Sequence, residues 1–327
     1  MSRVFVTGGS GFIGGRLVER LVADGHDVLA LARSDTSMHA VASIGATPIR
    51  GDLSDVDVLC DQMDGCEVAF HVAGVNEMCS LDELEMFRSN VTGTRNVVAA
   101  AAAASLQRVV YTSSAVVLGE ATGTVGSERS IHRGKYLSAY ERSKHEAELV
   151  AFTAAGHHGI DVVAVNPSSV QGPGRVEGSA RLFLYALRSE RPWLFDTSVS
   201  VVDIDDCVEA HILAARRGLP GARYVVSGAT IRIRDAVALL AEVAGVDSQP
   251  RMLSRNVVRG IGIPLSYGLR FIPTKVRVCP ELLRTLLHGH TYDGSRASRE
   301  LGLRYTPIDR TISKSVAWYR AEGLLDR

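Results

Sequence analysis

The segment Thr7-Gly-Gly-Ser-Gly-Phe-Ile-Gly14 constrains this chain more than any other part of it. A β-branched run, Arg3–Thr7, leads into it. A stretch follows in which Phe12, Ile13, Leu17, Leu21 and Val22 share one helical face, with charged residues opposite. Gly8, Gly11 and Gly14 recur at every third position. Between a strand and a helix, the first glycine permits a tight turn and the second lets the backbone approach a pyrophosphate. The third lets the helix pack on the sheet, and the helix N-terminus then offers free N–H groups to phosphates. A chance glycine cluster in a turn is the alternative, but the flanking elements favour dinucleotide binding. Phe12 and Ile13 join the three glycines as candidate cofactor contacts.

The rest of the first half alternates in the same way. Strands are expected at Arg3–Thr7, Asp27–Ala32, Thr47–Arg50, Glu67–His71, Arg108–Ser113 and Asp161–Asn166. Helices are expected near 12–24, 54–63, 83–104 and 138–155, the third ending in the alanine tract Ala99–Ala104. This alternation implies an α/β fold with a parallel sheet covered on both faces. The second half is less regular, with Pro and Gly clustered at 167–174 and 218–221. Val199–Ile204 and Arg223–Val226 read as strands returning to the sheet.

Composition removes several function classes. Lys+Arg and Asp+Glu both number 36, so nothing marks a nucleic-acid partner. The five cysteines have no CxxC or paired metal spacing, and an odd, scattered set reads as reduced and cytosolic. A core strand beginning at Arg3 leaves no room for a signal peptide. No apolar run approaches the roughly 18 residues of a membrane span, so a cytoplasmic protein without stable membrane insertion is expected, and no metal site.

The end of the second strand reads Leu-Ala-Leu-Ala-Arg33-Ser-Asp35. An acidic residue at that tip accepts from a ribose 2′-hydroxyl, whereas an arginine pairs with a 2′-phosphate. Arg33 therefore favours NADP, with NAD as the alternative. Asp52, followed by Leu53, reads either as an acceptor for the adenine amino group or as a helix N-cap. Val72, Ala73 and Gly74 supply the small residues that a backbone beside a cofactor needs. His71 reads as a packed strand-end histidine.

Tyr140 and Lys144 stand at i and i+4, on one helical face. A nearby cation favours the phenolate and makes tyrosine a useful acid/base group. Ser113 and Ser114 end the fifth strand, on the edge of the sheet that carries the glycine loop, where a hydroxyl can hold a substrate oxygen. Asn90 lies mid-helix, a disfavoured place for asparagine, and either bonds the backbone or supports a proton path.

Taken in order, TGGSGFIG, GDL, HVAG, NVTGT, YTSSAVVLG, YERSK and NPSSVQGPG resemble the extended short-chain dehydrogenase/reductase family, also called the NAD-dependent epimerase/dehydratase family. The similarity extends to VVDIDDCVEAHILA and YDGSRASRELG. It implies a Rossmann-type doubly wound sheet with a smaller C-terminal substrate domain. The dinucleotide-binding part would span 1–166, with returning segments near 199–228, and the substrate-binding part 167–198 and 229–327. The resemblance also implies roles. Tyr140 would be the general acid/base, and Lys144 would bind the nicotinamide ribose and tune Tyr140. Ser114 would polarise the substrate oxygen with Ser113 beside it, and Asn90 would be accessory. Pro167, Ser168, Ser169 and Val170 would run beside the nicotinamide. A homodimer through the helices near 83–104 and 138–155 is implied too. Within the family, Arg33 and NPSSVQGPG look most like the dihydroflavonol-reductase-like and hopanoid-associated epimerase-like branches. Leu118, Gln171 and Asp203 depart from the usual tyrosine, tyrosine and histidine.

Three function classes fit this frame: a carbonyl reductase or alcohol dehydrogenase, a nucleotide-sugar epimerase or dehydratase, and a dinucleotide sensor without catalysis. A nucleotide-sugar enzyme holds a diphosphate with arginines from the substrate domain. Here neither Thr197–Ser200 nor the residues before Tyr292 supply the expected ones, and only Arg175 and Arg181 could substitute. Ala115 and Val116 follow Ser114 where a dehydratase carries a carboxylate pair. The intact set Ser114, Tyr140 and Lys144 speaks against a sensor. The expectation is thus an NADP-dependent oxidoreductase interconverting a ketone or aldehyde and an alcohol, with a nucleotide-sugar epimerase as the alternative. Phe183, Tyr185, Trp193, Phe195, Tyr267 and Phe271 are candidates for the substrate wall or for core. Val257–Val278, carrying Arg259, Arg270, Lys275 and Arg277, reads as a lid or a membrane-surface element.

Overall fold

The structure is a computed structural model that describes residues 2–269 and 278–325. Its first half alternates strand and helix as the periodicity requires: β1 (Arg3–Thr7), α1 (Phe12–Ala23), β2 (Asp27–Ala32), α2 (Asp35–Ser43), β3 (Thr47–Arg50), α3 (Val56–Met63) and β4 (Val68–His71). Then come α4 (Glu83–Phe87), a π-helical turn at Arg88–Thr92, α5 (Gly93–Ala103), β5 (Arg108–Thr112), a 3₁₀ turn at Ala115–Leu118, α6 (Ala139–His158) and β6 (Asp161–Pro167). Helix α2 was not foreseen. Its sequence signal is a capping box, in which the Ser34 side chain accepts from the Ser37 N–H and the Ser37 side chain from the Ser34 N–H.

Beyond β6 follow β7 (Ser169–Gln171), α7 (Ser179–Arg188), β8 (Trp193–Phe195), β9 (Ser198–Asp203), α8 (Ile204–Arg217), β10 (Arg223–Val226), β11 (Ala229–Arg232) and α9 (Ile233–Ala244). The chain continues through β12 (Arg251–Leu253), α10 (Arg255–Val257), a π-helical turn at Val258–Gly262, α11 (Ile263–Leu269), α12 (Pro280–His288), a second such turn at Ala297–Leu301 and α13 (Ile308–Ala321).

Seven strands form one sheet in the order β10-β6-β5-β4-β1-β2-β3, with every pairing parallel. Successive residues of β1 serve opposite faces. Val4 and Val6 pack with Leu17, Val18 and Leu21 of α1 and with Val208 and Ile212 of α8. Phe5 packs with Leu59 and Met63 of α3 and with Val97 and Ala101 of α5. Burial on both faces explains the nearly continuous apolar strands. The chain winds one way from β1 to β3 and the other way from β4 onward. The carboxyl ends of β1 and β4 therefore flank a crevice, the place where such sheets bind ligands.

Of the two strands expected to return to this sheet, Arg223–Val226 does so on β6. The other does not. Strand β9 pairs with β7 and β11 in a separate three-stranded sheet, because β10 already occupies the β6 edge. Strands β8 and β12 form a parallel pair. Helices α7, α9 and α13 share a third core around Phe183, Leu240, Ile312 and Tyr319. Phe183 is therefore core rather than substrate wall, whereas Trp193 and Tyr267 are exposed. Phe271, Arg270, Lys275 and Arg277 lie outside the described residues.

The cysteine reading needs correction. Cys79, in the loop after β4, and Cys279, the N-cap of α12, form a disulfide, while Cys60, Cys66 and Cys207 are free. The partners are 200 residues apart, so spacing alone could not reveal them. The cysteines accordingly no longer argue for a reducing compartment. Among the described residues no helix is long and apolar enough to cross a membrane.

Candidate active site

The glycine loop closes tightly between β1 and α1. Gly8 has φ +73°, and a Cβ there would stand 2.6 Å from the Ala73 nitrogen, so the end of β4 leaves no room for a side chain. A Cβ on Gly14 would lie 2.0 Å from the Gly8 carbonyl oxygen. The third glycine thus serves the approach of helix to loop more than that of helix to sheet. Gly11 caps α1 with extended backbone and no side-chain acceptor, leaving the first N–H groups of the helix turned outward.

These N–H groups face a cleft of about 1060 Å³. Its walls include Gly8, Gly11, Phe12, Ile13, Gly14, Arg33, Asp52, Leu53, Val72 and Ala73, all expected from the sequence. The volume lies at the upper end of the ~300–1,000 Å³ usual for small-molecule sites, as an extended dinucleotide requires. A backbone cradle that any side chain would fill, at a helix N-terminus, fits a pyrophosphate.

The ribose end carries Arg33, exposed and 3.9 Å from Asp52. Ser34 and Ser37, at the start of α2, line the cleft beside it. Asp35, the nearby carboxylate, is turned onto Arg50 and is not part of the wall. Asp52 accepts from the Ser54 N–H at 3.0 Å and from its hydroxyl at 2.9 Å. It is not the N-cap of α3. That cap is Asp55, which accepts from the Val58 N–H. The Ser54 hydrogen bonds and the Arg33 charge outweigh partial burial and hold the Asp52 carboxyl below its usual range.

Behind Gly74, and not themselves in the cleft wall, Tyr140 and Lys144 are set one turn apart on a buried face of α6, which Ser138 caps. Ser114, which precedes the 3₁₀ turn, presents its hydroxyl to the Tyr140 phenol. Lys144 donates to the Thr112 carbonyl at 2.7 Å and lies 4.7 Å over the Tyr111 ring. It reaches the cleft at Gly74, where a Cβ would stand 3.7 Å from its nitrogen. Burial lowers the Lys144 pKa to about 8, with Glu148 opposing. The expected depression of Tyr140 by Lys144 is not found. Burial raises the phenol pKa, and the opposing influences are the Ser114 hydroxyl and the Arg175 charge. Tyr140 is therefore protonated at neutral pH.

Asn90 takes its backbone-bonding alternative. It sits in the π-helical turn, accepts from the Val75 N–H at 2.7 Å, and donates to the Val75 carbonyl at 3.0 Å and to Ser143 at 2.9 Å. It clamps the loop after β4 to α6. His71 is the packed strand-end residue expected, held between Thr7 and Thr94 and driven by burial to a pKa of about 3.

Other expected contacts stand apart from the cleft wall. Ser113 is buried, with no hydrogen-bond partner for its hydroxyl. Pro167 ends β6, Ser169 bonds Ser179 at 2.7 Å, and Val170 packs in the core with Val202 and Val208. None of the three borders the cleft: Pro167 pairs with Val226 at the end of β6, while Ser169 and Val170 belong to the sheet β7-β9-β11.

Two placements were not foreseen, since Arg175 was expected only as a possible partner for a substrate diphosphate. Arg175 lines the cleft, lies 5.0 Å over the Phe12 ring and donates to the Glu177 carbonyl at 3.0 Å. Its only sequence signal was an arginine just after a Gly-Pro-Gly turn. Behind Ser114, Asn166 donates to the Ser114 carbonyl at 3.2 Å and to Glu148 at 2.6 Å. Glu148 in turn pairs with Arg223 at 3.1 Å. Its position one turn beyond Lys144 was the available clue.

Comparison with known proteins agrees with this fold. Residues 4–227 match the NAD dependent epimerase/dehydratase family. A Synechocystis protein provisionally named dihydroflavonol 4-reductase is 33% identical, over 98% of this chain and 95% of its own. The 4-hydroxy-2-methyl-3-oxo-4-farnesyl-3,4-dihydroquinoline-1-oxide ketoreductase of Stigmatella aurantiaca is 32% identical, over 92% of this chain and 91% of its own. Among solved structures, gox2253 superposes with a TM-score of 0.87 at 27% identity, over 99% of both chains. MoeE5, solved with UDP-glucuronic acid and NAD, gives 0.77 at 27% identity, over 98% of this chain and 99% of its own.

Proposed function

The chain belongs to the NAD-dependent epimerase/dehydratase family, whose members are NAD(P)-dependent enzymes of the extended short-chain dehydrogenase/reductase type, and on that premise we propose that it uses NADP to interconvert a ketone or aldehyde and an alcohol. The observation that carries this reading is the placement of Tyr140 and Lys144 one turn apart on the buried face of α6, with buried Ser114 just after β5 close enough to influence the phenol.

Gly8, Gly11, Gly14 and the α1 N-terminus would hold the pyrophosphate, and Arg33 with Ser34 and Ser37 the 2′-phosphate. The dinucleotide, when bound, supplies or accepts a hydride. Ser114 and Tyr140 hydrogen-bond the substrate oxygen. In reduction the Tyr140 O–H delivers a proton to that oxygen as the carbonyl carbon gains the hydride. In oxidation the deprotonated Tyr140 oxygen takes the proton from the alcohol hydroxyl as the alcohol carbon gives up its hydride. Lys144, fixed on the Thr112 carbonyl, keeps a positive charge beside the pair and stabilises the phenolate that reduction leaves.

A nucleotide-sugar epimerase is the second reading, prompted by the UDP-sugar complexes of MoeE5. Two observations weigh against it. Arg175 is engaged with Phe12 on the cofactor cleft, and Arg181 pairs with Glu177 at the surface. A diphosphate held without cationic partners is costly to bury. A panel of ketones, aldehydes and nucleotide sugars tests the choice. Consumption of NADPH with carbonyl substrates supports the reductase, while an epimerised sugar without net NADPH consumption, lost on Arg175→Ala, overturns it.

A further inference from the structure

A second group of ionisable side chains lies outside the cofactor cleft, where the loop after the 3₁₀ turn meets the segment leaving α12. Glu120 is 2% exposed and His288 8%. Gly289, with φ +72°, separates His288 from His290, and the two imidazoles lie with centroids 4.8 Å apart. One Glu120 carboxylate oxygen stands 2.6 Å from His290 Nδ1 and 3.4 Å from His288 Nε2.

The hydrogen bonding of this group is incomplete at His290 and at one Glu120 oxygen. Thr122 Oγ1 is 3.1 Å from His288 Nδ1. His288 closes in one tautomer, its Nε2–H donating to the Glu120 carboxylate while Nδ1 accepts from the Thr122 hydroxyl; an ion on Nε2 would use the other, with Nδ1–H donating to Thr122. His290 Nδ1 has two claimants, Glu120 at 2.6 Å and the Tyr292 hydroxyl at 2.8 Å. It cannot both donate to the carboxylate and accept from the phenol. The other Glu120 oxygen and His290 Nε2 are buried without a hydrogen-bond partner. Among the described residues no lysine or arginine pairs with Glu120. Arg133 reaches the Glu120 carbonyl but gives its charge to Glu141. The histidines can each donate to one Glu120 oxygen, but the other oxygen and His290 Nε2 remain buried and unpartnered, with no lysine or arginine among the described residues paired to them, an arrangement that a bound cation would complete.

We propose that Glu120, His288 and His290 form a binding site for a divalent transition cation of the zinc class. One ligand atom from each lies within 4.8 Å of the others. Tetrahedral zinc with bonds of about 2.0–2.1 Å needs ligand atoms about 3.3–3.4 Å apart, so small side-chain adjustments suffice. Two imidazoles and a carboxylate suit zinc, cobalt(II) or iron(II), whereas calcium and magnesium prefer oxygen donors. Thr122 orients one ligand by holding its second ring nitrogen, the usual outer support of a metal-bound histidine. The ion would pin the 288–292 segment to the 119–126 loop, two stretches that already meet in the bridge from Gly126 to Tyr292. Tyr292 packs on Ala115 and Leu118, directly beyond Ser114, so the ion would brace the floor beside the Ser114–Tyr140 pair without entering the chemistry. This inference stands independently of the hydride-transfer reading.

The test uses untagged full-length protein, stripped with a chelator and titrated calorimetrically with Zn²⁺ alone. One ion per chain is expected, with a Kd of about 1 μM or tighter. Glu120→Gln, His288→Gln and His290→Gln should each weaken binding by about 100-fold, and Thr122→Val by about 10-fold. Co²⁺ should give the visible bands of a tetrahedral site in the unmodified protein and lose them in His290→Gln. Retained NADP binding in each variant shows that the fold survives, and the Thr122 variant still decides the matter if Glu120→Gln does not fold. Less than stoichiometric Zn²⁺, or equal affinity in the His288 and His290 variants, overturns the proposal and assigns any binding to other histidines.

Discussion

Arg175 lies 5.0 Å over the ring of Phe12, joining the loop after β7 to the first turn of α1. Its guanidinium therefore hangs over the glycine loop, and its charge also reaches Tyr140. In the proposed binding mode, a cation at that point would face the dinucleotide's phosphates at the helix N-terminus. Arg175→Ala should weaken NADP binding by about 10- to 100-fold, the worth of a charge-assisted hydrogen bond of about 1.5–3 kcal/mol. Fluorescence titration checks this. Unchanged cofactor affinity, with loss of activity alone, would transfer Arg175 to the substrate.

The proposed preference for NADP rests on Arg33, with Ser34 and Ser37 beside it and Asp35 turned away onto Arg50. NADPH should bind more tightly than NADH, and Arg33→Asp should narrow or reverse the gap. Equal dissociation constants in the unmodified protein would contradict the assignment.

The pH dependence follows from Lys144. Burial lowers its pKa to about 8, so its charge is present below that value and is lost as pH rises through it. Tyr140, raised by burial, stays protonated across the same range. The kcat/KM for reduction should be flat between about pH 6 and 7.5 and should fall above about 8. A rate that climbs steadily to pH 10 would show that the Lys144 charge is not needed. Bound cofactor would place further charge near Lys144, so the limb is followed in kcat/KM for NADPH, which reports the cofactor-free enzyme.

The Cys79–Cys279 bond ties the loop after β4, next to the cleft residues Val75 and Asn76, to the start of α12. Denatured, unreduced protein should titrate three thiols of its five cysteines, Cys60, Cys66 and Cys207. Closing a chain of that length is worth roughly 3–5 kcal/mol, so Cys279→Ser should lower the denaturation midpoint measurably. Five titratable thiols would remove the bond from the account.

Much of this was legible in the sequence, for identifiable reasons. The glycine loop, the strands of the parallel sheet and the Tyr140–Lys144 spacing are local patterns, and local patterns fix what neighbouring residues can do. Features built from distant residues were not legible. Cys79 meets Cys279, Glu120 meets His290, and Asn166 meets Ser114 only through the winding of the sheet. The pairing of β9 depended on which strand had taken the β6 edge. The Tyr140 pKa was misjudged for a related reason, since burial depends on the whole fold and here outweighs a neighbouring charge.

The central claim is that Tyr140 delivers the proton that accompanies hydride transfer, and Tyr140→Phe tests it most directly. The variant keeps the ring and removes only the hydroxyl. With a ketone that the unmodified enzyme reduces, NADPH consumption should fall by about 100-fold or more while NADP affinity stays within about threefold. Turnover near that of the unmodified enzyme, with NADPH still consumed in step with alcohol formed, would show that the proton comes from another group.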